Sequence, residues 1–187
     1  TIRIKFIKMY LSYFIKRYFN KNPDTKVAEL YYKRIVAMAR NIKLYEKGGV
    51  PDTLEGRYEL IVLHSHLFIR RLIKSGTIGK SISQKIIDIL VKDFDYSLRE
   101  LGVGDLSVGK KIKKMVEGYY GRAEAYEKAL SDGPKSLISA LKKNLYGSIE
   151  PSNIEIEYIR NYISNLRDEL DIKSDSELSG GFPDINF

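Results

Sequence analysis

The segment from Gly104 to Lys111 has the glycine and lysine spacing of a phosphate-binding loop, which would hold a nucleotide. In such a loop a serine or threonine follows the lysine and binds magnesium, but Lys111 occupies that position here. A phosphate-binding loop also follows a β-strand, because its amide groups must converge at the start of the next helix. The residues before Gly104 have a helical pattern instead. The sequence therefore argues against nucleotide binding.

Two pairs of polar residues could suggest a metal site. His64 and His66 lie two residues apart, as do Asp93 and Asp95, and both pairs fall in segments with helical periodicity. Residues two apart on a helix point in nearly opposite directions, so neither pair can share a metal ion. Asp95 has the four-residue spacing to Arg99 that favours an ordinary helix ion pair. We expect no metal, no cofactor and no catalysis, because no set of nucleophile, base and oxyanion donor is evident.

The charge of the chain favours acidic partners. The chain carries 32 lysine and arginine residues against 24 aspartate and glutamate residues, a formal net charge of +8, and no cysteine. Nucleic acid, the ribosome, anionic lipid and an acidic protein surface all complement this charge. The densest cluster, Lys110, Lys111, Lys113 and Lys114, is either a solvated helix face or a contact for phosphates or an acidic protein. No known nucleic-acid-binding motif accompanies it, so we expect no specific DNA partner.

Helical periodicity runs through most of the chain, with glycine and proline at the breaks. We predict an all-α protein, a compact bundle of six to seven helices joined by short loops. Residues 1–22 form a basic amphipathic helix and residues 23–171 the helical domain. Residues 172–187 are rich in serine, aspartate and glycine, so we expect a disordered tail. Within the domain, helices are predicted at residues 23–41, 54–74, 81–101, 107–130, 134–146 and 151–170.

The first 22 residues contain six basic side chains and no acidic one. As a helix, they place Ile7, Leu11, Phe14 and Tyr18 on one stripe and basic residues on another. This pattern is typical of a helix that lies in the membrane interface; the alternative is a first core helix with a solvated basic face. A membrane-crossing helix is not expected, because no uncharged apolar stretch reaches about 18 residues.

Three segments carry motifs that occur together in one known protein family. Residues 32–64 contain YKRIVAMAR, GVPDT, EGRYEL and LH; residues 93–110 contain DFD and LRELGVGDLSVGK; residues 120–130 contain YGRA, AY and AL. In order and spacing these segments resemble the ubiquinol–cytochrome c chaperone family, whose mitochondrial members assist assembly of the respiratory cytochrome bc1 complex. The sequence around Asn41 departs from the family pattern, because it lacks a proline there.

The resemblance implies a non-enzymatic, cofactor-free helical chaperone for the ubiquinol–cytochrome c reductase (bc1) complex. Mitochondrial relatives bind newly made cytochrome b, with a small partner protein and close to the ribosome. Expected partners are therefore cytochrome b or another bc1 subunit, a small co-chaperone and the ribosome, with peripheral membrane contact through residues 1–22. The short chain is similar to alphaproteobacterial members, which implies the cytoplasmic face of the bacterial inner membrane. A eukaryotic member would lie at the matrix side of the mitochondrial inner membrane.

Polar residues of the matched segments are the candidate partner-binding residues. They could line a client-binding face, or they could be helix caps and ion pairs with a purely structural role. The candidates are Asp52, Thr53, Arg57, His64, Arg99, Glu100, Asp105, Lys110, Arg122 and Tyr126.

Two other functions compete with the chaperone hypothesis. The alternative from a different class is a basic helical protein that associates with the ribosome or nucleic acid and has no respiratory role. A helical enzyme that modifies lipids is a third hypothesis, supported only by the membrane-like pattern of residues 1–22.

Overall fold

The computed structural model describes residues 23–147, 149–181 and 183. Its elements are α1 (Pro23–Ala39), α2 (Ile42–Glu46), α3 (Leu54–Lys74), α4 (Gly76–Glu100), α5 (Asp105–Asp132), α6 (Pro134–Leu141), a π-helical turn (Lys142–Tyr146), α7 (Asn153–Asp171) and α8 (Asp175–Gly180). No β-strand occurs in these ranges, and the prediction of an all-α bundle with short loops is confirmed. None of these helices combines the length and the apolar character that crossing a membrane requires. The predicted helix at 1–22 lies outside the described residues.

Serine and threonine caps fix where three of the helices begin. The Thr53 hydroxyl accepts a hydrogen bond from the third amide group after it, at the start of α3. Ser152 and Glu155 form a reciprocal capping box at α7, and Ser174 and Glu177 form another at α8. Each cap provides a partner for amide groups that the first turn of a helix leaves without one.

Helix α3 is the central element of the bundle. It packs against α1, α4, α5, α7 and α8, and its side chains are buried along most of its length. Leu60, Leu63, Leu67, Phe68 and Leu72 are at most 1% exposed. Burial of this many large apolar side chains is the main favourable contribution to folding, at about 1.5–3 kcal/mol each.

Side-chain contacts show how the helices run relative to one another. Asp24 contacts Ser81 and Tyr32 contacts Asp93, so α1 and α4 run in the same direction. Helix α4 reverses the direction of α3 after a turn at Gly76, whose φ of 75° favours glycine. Residues 58, 59 and 70 of α3 contact residues 115, 122 and 127 of α5, in that order. Helices α3 and α5 therefore also run in the same direction. The starts of α3 and α5 therefore lie beside the ends of α1 and α4, and we call this the groove end of the bundle.

The starts of two helices and the C-terminal tail differ most from the sequence prediction. Helix α4 begins at Gly76 rather than at residue 81, and α5 begins at Asp105 rather than at residue 107. The expectation of a disordered tail is wrong for residues 175–180, which form α8. Leu178 is fully buried there, and the hydroxyl of Tyr31 donates a 2.9 Å hydrogen bond to its carbonyl oxygen. The polar composition of the tail obscured a capping box followed by one apolar anchor.

Candidate functional site

A groove of about 190 Å³ opens at the groove end of the bundle. The ends of α1 and α4, the start of α3 and one side of α5 surround it. Leu54 and Leu101 line the groove while remaining 57% and 60% exposed, so its mouth is an apolar surface in contact with water. Such a surface is typical of a protein-binding site. Its main apolar lining residues are Leu54, Ile61, Phe94, Leu98, Leu101 and Met115.

The aromatic side chain of Tyr58 forms the floor of the groove. Its ring packs on that of Phe94 with centroids 5.0 Å apart, and its hydroxyl donates a 3.1 Å hydrogen bond to the carbonyl oxygen of Met115. The guanidinium of Arg122 lies 5.5 Å from the centre of the Tyr58 ring. Contacts to both α4 and α5 therefore hold the floor in one position.

An exposed ion pair and a helix cap form one edge of the groove. Arg57 Nε donates a 2.6 Å hydrogen bond to Oδ1 of Asp52, and this contact lowers the pKa of the Asp52 carboxyl. Between them, the Thr53 hydroxyl accepts a 3.1 Å hydrogen bond from the amide of Gly56. A side chain at Gly56 would place its Cβ 2.0 Å from the carbonyl oxygen of Pro51, so only glycine fits this turn.

A buried tyrosine orients the one carboxylate among the groove-lining residues. The hydroxyl of Tyr32 donates a 2.7 Å hydrogen bond to Oδ2 of Asp93, which lines the groove. Burial raises the pKa of Tyr32, and the contact with Asp93 raises it further. Because Arg40 and Arg57 also line the groove, its polar side chains carry two positive charges and one negative charge.

Arg99 links the end of α4 to the start of α5. Its Nε lies 2.8 Å from Oδ2 of Asp95, and a second guanidinium nitrogen contacts Asp105. The next residue, Glu100, accepts a hydrogen bond from the exposed hydroxyl of Tyr96, which raises the pKa of that tyrosine. All of these side chains are in contact with solvent, and exposed ion pairs contribute at most about 1 kcal/mol to stability. Their charged groups can therefore exchange partners at little cost.

A further ion pair, between Glu59 and Arg122, lies beneath the groove. The buried carboxylate of Glu59 binds the guanidinium of Arg122 through two contacts, Nε–Oε2 and Nη2–Oε1, each 2.5 Å long. Burial raises the pKa of Glu59, while the hydrogen bond and positive charge of Arg122 oppose that shift. The pair joins α3 to α5 and holds the guanidinium against the ring of Tyr58.

Comparison with known proteins identifies the family. The family model described as ubiquinol–cytochrome C chaperone matches residues 46–184. This chain belongs to the ubiquinol–cytochrome c chaperone family. The crystal structure of a Cbp3 homolog from Brucella abortus is similar in fold, with a TM-score of 0.77 and 34% sequence identity. That similarity covers 87% of this chain and 91% of the Brucella chain. The resemblance that the three sequence segments indicated is confirmed.

Animal assembly factors are more distant relatives of this family member. The ubiquinol–cytochrome-c reductase complex assembly factor 1 of Xenopus laevis is 25% identical over 69% of this chain. The mouse protein of the same description is 22% identical over 63% of the chain. This chain spans 66% of the length of the frog protein and 41% of the length of the mouse protein.

The structure brings most of the candidate residues to the groove end. Arg57 lines the groove, and Asp52 and Thr53 are beside it. Arg99, Glu100 and Asp105 surround the turn between α4 and α5, and Arg122 lies beneath the floor. Lys110 is exposed on the outer side of α5 and does not line the groove.

Two candidate residues are core residues, and their assignment as partner contacts is wrong. His64 and Tyr126 are both 0% exposed, so neither can touch another protein. His64 contacts the Leu60 carbonyl oxygen through Nδ1 at 2.7 Å, so Nδ1 carries the proton, and Nε2 accepts a 2.8 Å hydrogen bond from Tyr162. Burial lowers the pKa of His64 to about 4, which keeps the ring neutral. The helical spacing of His64 placed it on a face that α7 covers.

The apolar residues of the site were not singled out from the sequence. Tyr58, Phe94, Leu98 and Met115 appear there as ordinary positions of helical stripes.

Leu54, the first residue of α3, is exposed at the groove mouth. The sequence offered one signal for the groove mouth. Leu54 follows the Thr53 cap and Leu101 precedes Gly102, and an apolar residue next to a cap or a glycine turn lies at the end of a helix.

The nucleotide-like and metal-like patterns do not form such sites. Residues from Asp105 onward are helical, so Gly109 and Lys110 lie within α5 rather than in a phosphate-binding loop. Within the described ranges, no three histidine, aspartate or glutamate side chains are grouped to hold a metal ion. Asp95 forms the ion pair with Arg99 that its spacing predicted.

Proposed function

We propose that this chain is a non-enzymatic assembly chaperone for the bc1 complex, and that it binds newly made cytochrome b through the groove. The observation that carries the proposal is an open apolar groove formed by segments of a chaperone-family chain. Client specificity for cytochrome b, rather than another bc1 subunit, is the finer part of the proposal.

The shape of the groove favours a protein client over a small molecule. Its volume of about 190 Å³ is below the roughly 300–1,000 Å³ that is typical of small-molecule sites. It is suited to a few apolar side chains of a larger partner. Helices of a membrane subunit expose such side chains before insertion and cannot remain uncovered in water.

The charges beside the groove favour a helix end or loop of the client. Arg40 and Arg57 lie next to the apolar lining. Arginine donates several hydrogen bonds in a fixed fork, and the last turn of a helix leaves carbonyl oxygens without partners. The groove would therefore hold apolar side chains while the arginines bind the free carbonyls beside them.

The remaining partners follow from the family and from charge. We place the protein at the cytoplasmic face of the bacterial inner membrane, or at the matrix side of the mitochondrial inner membrane. Peripheral membrane contact through residues 1–22, a small co-chaperone and proximity to the ribosome belong to the same proposal. Each brings the groove close to a subunit as it is synthesised.

Site-specific crosslinking in cells tests the client. A photoreactive amino acid replaces Leu98 in the groove and, as the control, the exposed Ile172 at the opposite end of the bundle. The groove position should crosslink to cytochrome b, and Ile172 should not. Crosslinking of both positions to the same proteins would contradict the groove assignment. Failure of the adduct to form when nuclease treatment precedes irradiation would favour the alternative of a ribosome- or nucleic-acid-associated protein.

Deletion of the gene tests the respiratory role independently of the groove. Cells without the protein should show reduced haem b absorbance from the bc1 complex, and the wild-type gene should restore it. Unchanged absorbance would contradict the proposed function.

A further inference from the structure

The turn between α4 and α5 presents leucines and lysines to solvent together. Leu101 precedes the turn and is 60% exposed, and Leu106 follows it and is fully exposed. Lys110, Lys113 and Lys114 occupy the next two turns of α5 and are all exposed. We call these five residues the lysine turn.

The lysines of this surface are not neutralised by neighbouring acids. Within the part of the chain that the structure describes, Lys110, Lys113 and Lys114 form no ion pair, whereas Arg99 beside them is paired with Asp95 and Asp105. Glu117 is exposed on the same side of α5 and is the nearest acid along that face. Glu100, next to Leu101, likewise forms no ion pair among the described residues, so three lysines against two glutamates leave a small excess of positive charge on this surface.

Helical geometry places these residues on one side of α5. At 100° per residue, Leu106, Lys110, Lys113 and Lys114 fall within a sector of roughly 100°. The buried residues Val108, Tyr119 and Tyr126 lie on the opposite side. These four residues therefore form a continuous outward face of α5, and Leu101 precedes that face in the adjoining turn.

We infer that the lysine turn docks on an anionic lipid surface, with Leu101 and Leu106 inserted among the lipid headgroups. Exposed apolar side chains beside lysines are the arrangement by which peripheral proteins bind anionic bilayers. Lysine attracts the headgroups, and a leucine gains free energy when it leaves water for the acyl boundary. A phosphate backbone of RNA would satisfy the lysines but would leave both leucines in water.

The client itself fits this surface poorly. Loops of membrane subunits on the side of synthesis carry an excess of lysine and arginine, which the lysine turn would repel. This comparison rests on the proposed function, whereas the lipid contact itself does not require a client. The lipid inference is also separate from the predicted membrane contact of residues 1–22, which concerns a different part of the chain.

Docking through the lysine turn would orient the groove mouth relative to the membrane. Leu101 belongs to both surfaces, since it also lines the groove. A bilayer bound at the lysine turn would therefore lie next to the groove mouth. An apolar client segment could then pass between groove and membrane without crossing a layer of water.

Fluorescence of a single introduced cysteine tests the contact directly. The chain has no cysteine, so a label reacts only at the chosen position. The variant Leu106→Cys, and Ile172→Cys as control, each carry an environment-sensitive fluorophore in the full chain. With vesicles containing phosphatidylglycerol, the label at residue 106 should shift to shorter wavelength and the label at 172 should not. Equal shifts at both positions, or no shift at 106, would overturn the inference.

A matched pair of charge variants distinguishes binding through the lysine turn from nonspecific attraction between the basic chain and anionic vesicles. The triple variant Lys110→Gln/Lys113→Gln/Lys114→Gln removes three charges from the lysine turn. The control, Lys74→Gln/Lys135→Gln/Lys143→Gln, removes three exposed charges elsewhere.

Vesicle sedimentation then compares the two triple variants. The partition coefficient should fall about tenfold or more for the lysine-turn variant relative to the control. Equal partitioning, or binding of RNA in place of vesicles, would contradict the lipid contact. Because the assay contains no client, it can fail while the crosslinking test succeeds, and the reverse also holds.

Discussion

The guanidinium of Arg122 binds both carboxylate oxygens of the buried Glu59, at 2.5 Å each, and so joins α5 to α3 beneath the groove. Arginine matches a carboxylate in this two-bond geometry, and lysine cannot reproduce it. The pair also positions the guanidinium against Tyr58. The relationship makes Arg122 a support for the groove floor.

Removal of Arg122 should destabilise the domain. The variant Arg122→Met leaves the Glu59 carboxylate buried without its partner, and we expect a loss of about 3 kcal/mol in the free energy of unfolding. Urea denaturation followed by circular dichroism measures it. The double variant Glu59→Gln/Arg122→Met should recover most of that loss, because no charge then remains buried. A single variant as stable as the wild type would show that the pair contributes little.

Acid should unfold the protein partly through His64. Its pKa is about 4 in the folded chain and about 6.5 when unfolded. Below pH 6.5 His64 therefore binds a proton in the unfolded state but stays neutral in the folded state until the pH approaches 4. The stability that this neutral histidine supplies is complete above pH 6.5 and declines as the pH falls towards 4. Between pH 7 and pH 4.5 the loss should be about 2 kcal/mol.

The variant His64→Asn isolates this contribution. Asparagine does not titrate. The other titrating groups are the same in both proteins, including Glu59, whose raised pKa changes stability with pH in the opposite direction to His64. The variant should be less stable at pH 7, because it loses the bond to Tyr162. Its stability should fall between pH 7 and pH 4.5 by about 2 kcal/mol less than that of the wild type. Parallel pH profiles in urea denaturation would exclude His64 as the cause.

The role of Thr53 can be separated from client binding by its two closest replacements. The variant Thr53→Ala removes the hydroxyl that accepts from the Gly56 amide and should cost about 1 kcal/mol of unfolding free energy. Thr53→Ser keeps the hydroxyl and should change stability little. If Thr53→Ala lowered bc1 assembly in cells with no loss of thermal stability, Thr53 would contact a partner.

Much of the fold could be predicted because its signals are local. Periodic apolar residues located the long helices, and the Thr53 cap placed the start of α3. Glycine and proline located the breaks, although the break predicted between residues 74 and 81 is longer than the one in the structure. In the structure one residue, Ser75, separates α3 from α4, because Gly76 reverses the chain there and Gly79 packs against α3.

The site was less accessible to sequence reasoning because its residues meet through tertiary contacts. The groove depends on α1 and α4 running in the same direction, which the Tyr32–Asp93 contact shows but no local pattern encodes. For His64 and Tyr126 the sequence led to the reverse mistake, because it assigned two core residues to the binding site. Polar character in a matched motif suggested a partner contact, whereas both side chains are buried in the core, where His64 forms hydrogen bonds to Leu60 and Tyr162.

Acidic substitutions at the groove mouth test the groove without disturbing the core. Leu54 and Leu101 are 57% and 60% exposed, so Leu54→Glu/Leu101→Glu should change unfolding free energy by less than about 1 kcal/mol. A glutamate at each position would place a charge where an apolar client must bind, and that charge would lose its hydration in the complex. Crosslinking from position 98 to cytochrome b should therefore fall at least tenfold.

The matched control for these variants is Ile73→Glu/Ile172→Glu, which places the same two charges on exposed isoleucines away from the groove. It should retain crosslinking and normal haem b absorbance from the bc1 complex. Thermal unfolding of both double variants confirms that neither loses the fold. If the control reduced crosslinking as much as the groove variant, net charge would explain the effect. Because Leu101 also belongs to the lysine turn, Leu54→Glu alone should reproduce the loss of crosslinking if contact of the client with the groove mouth is the direct physical cause.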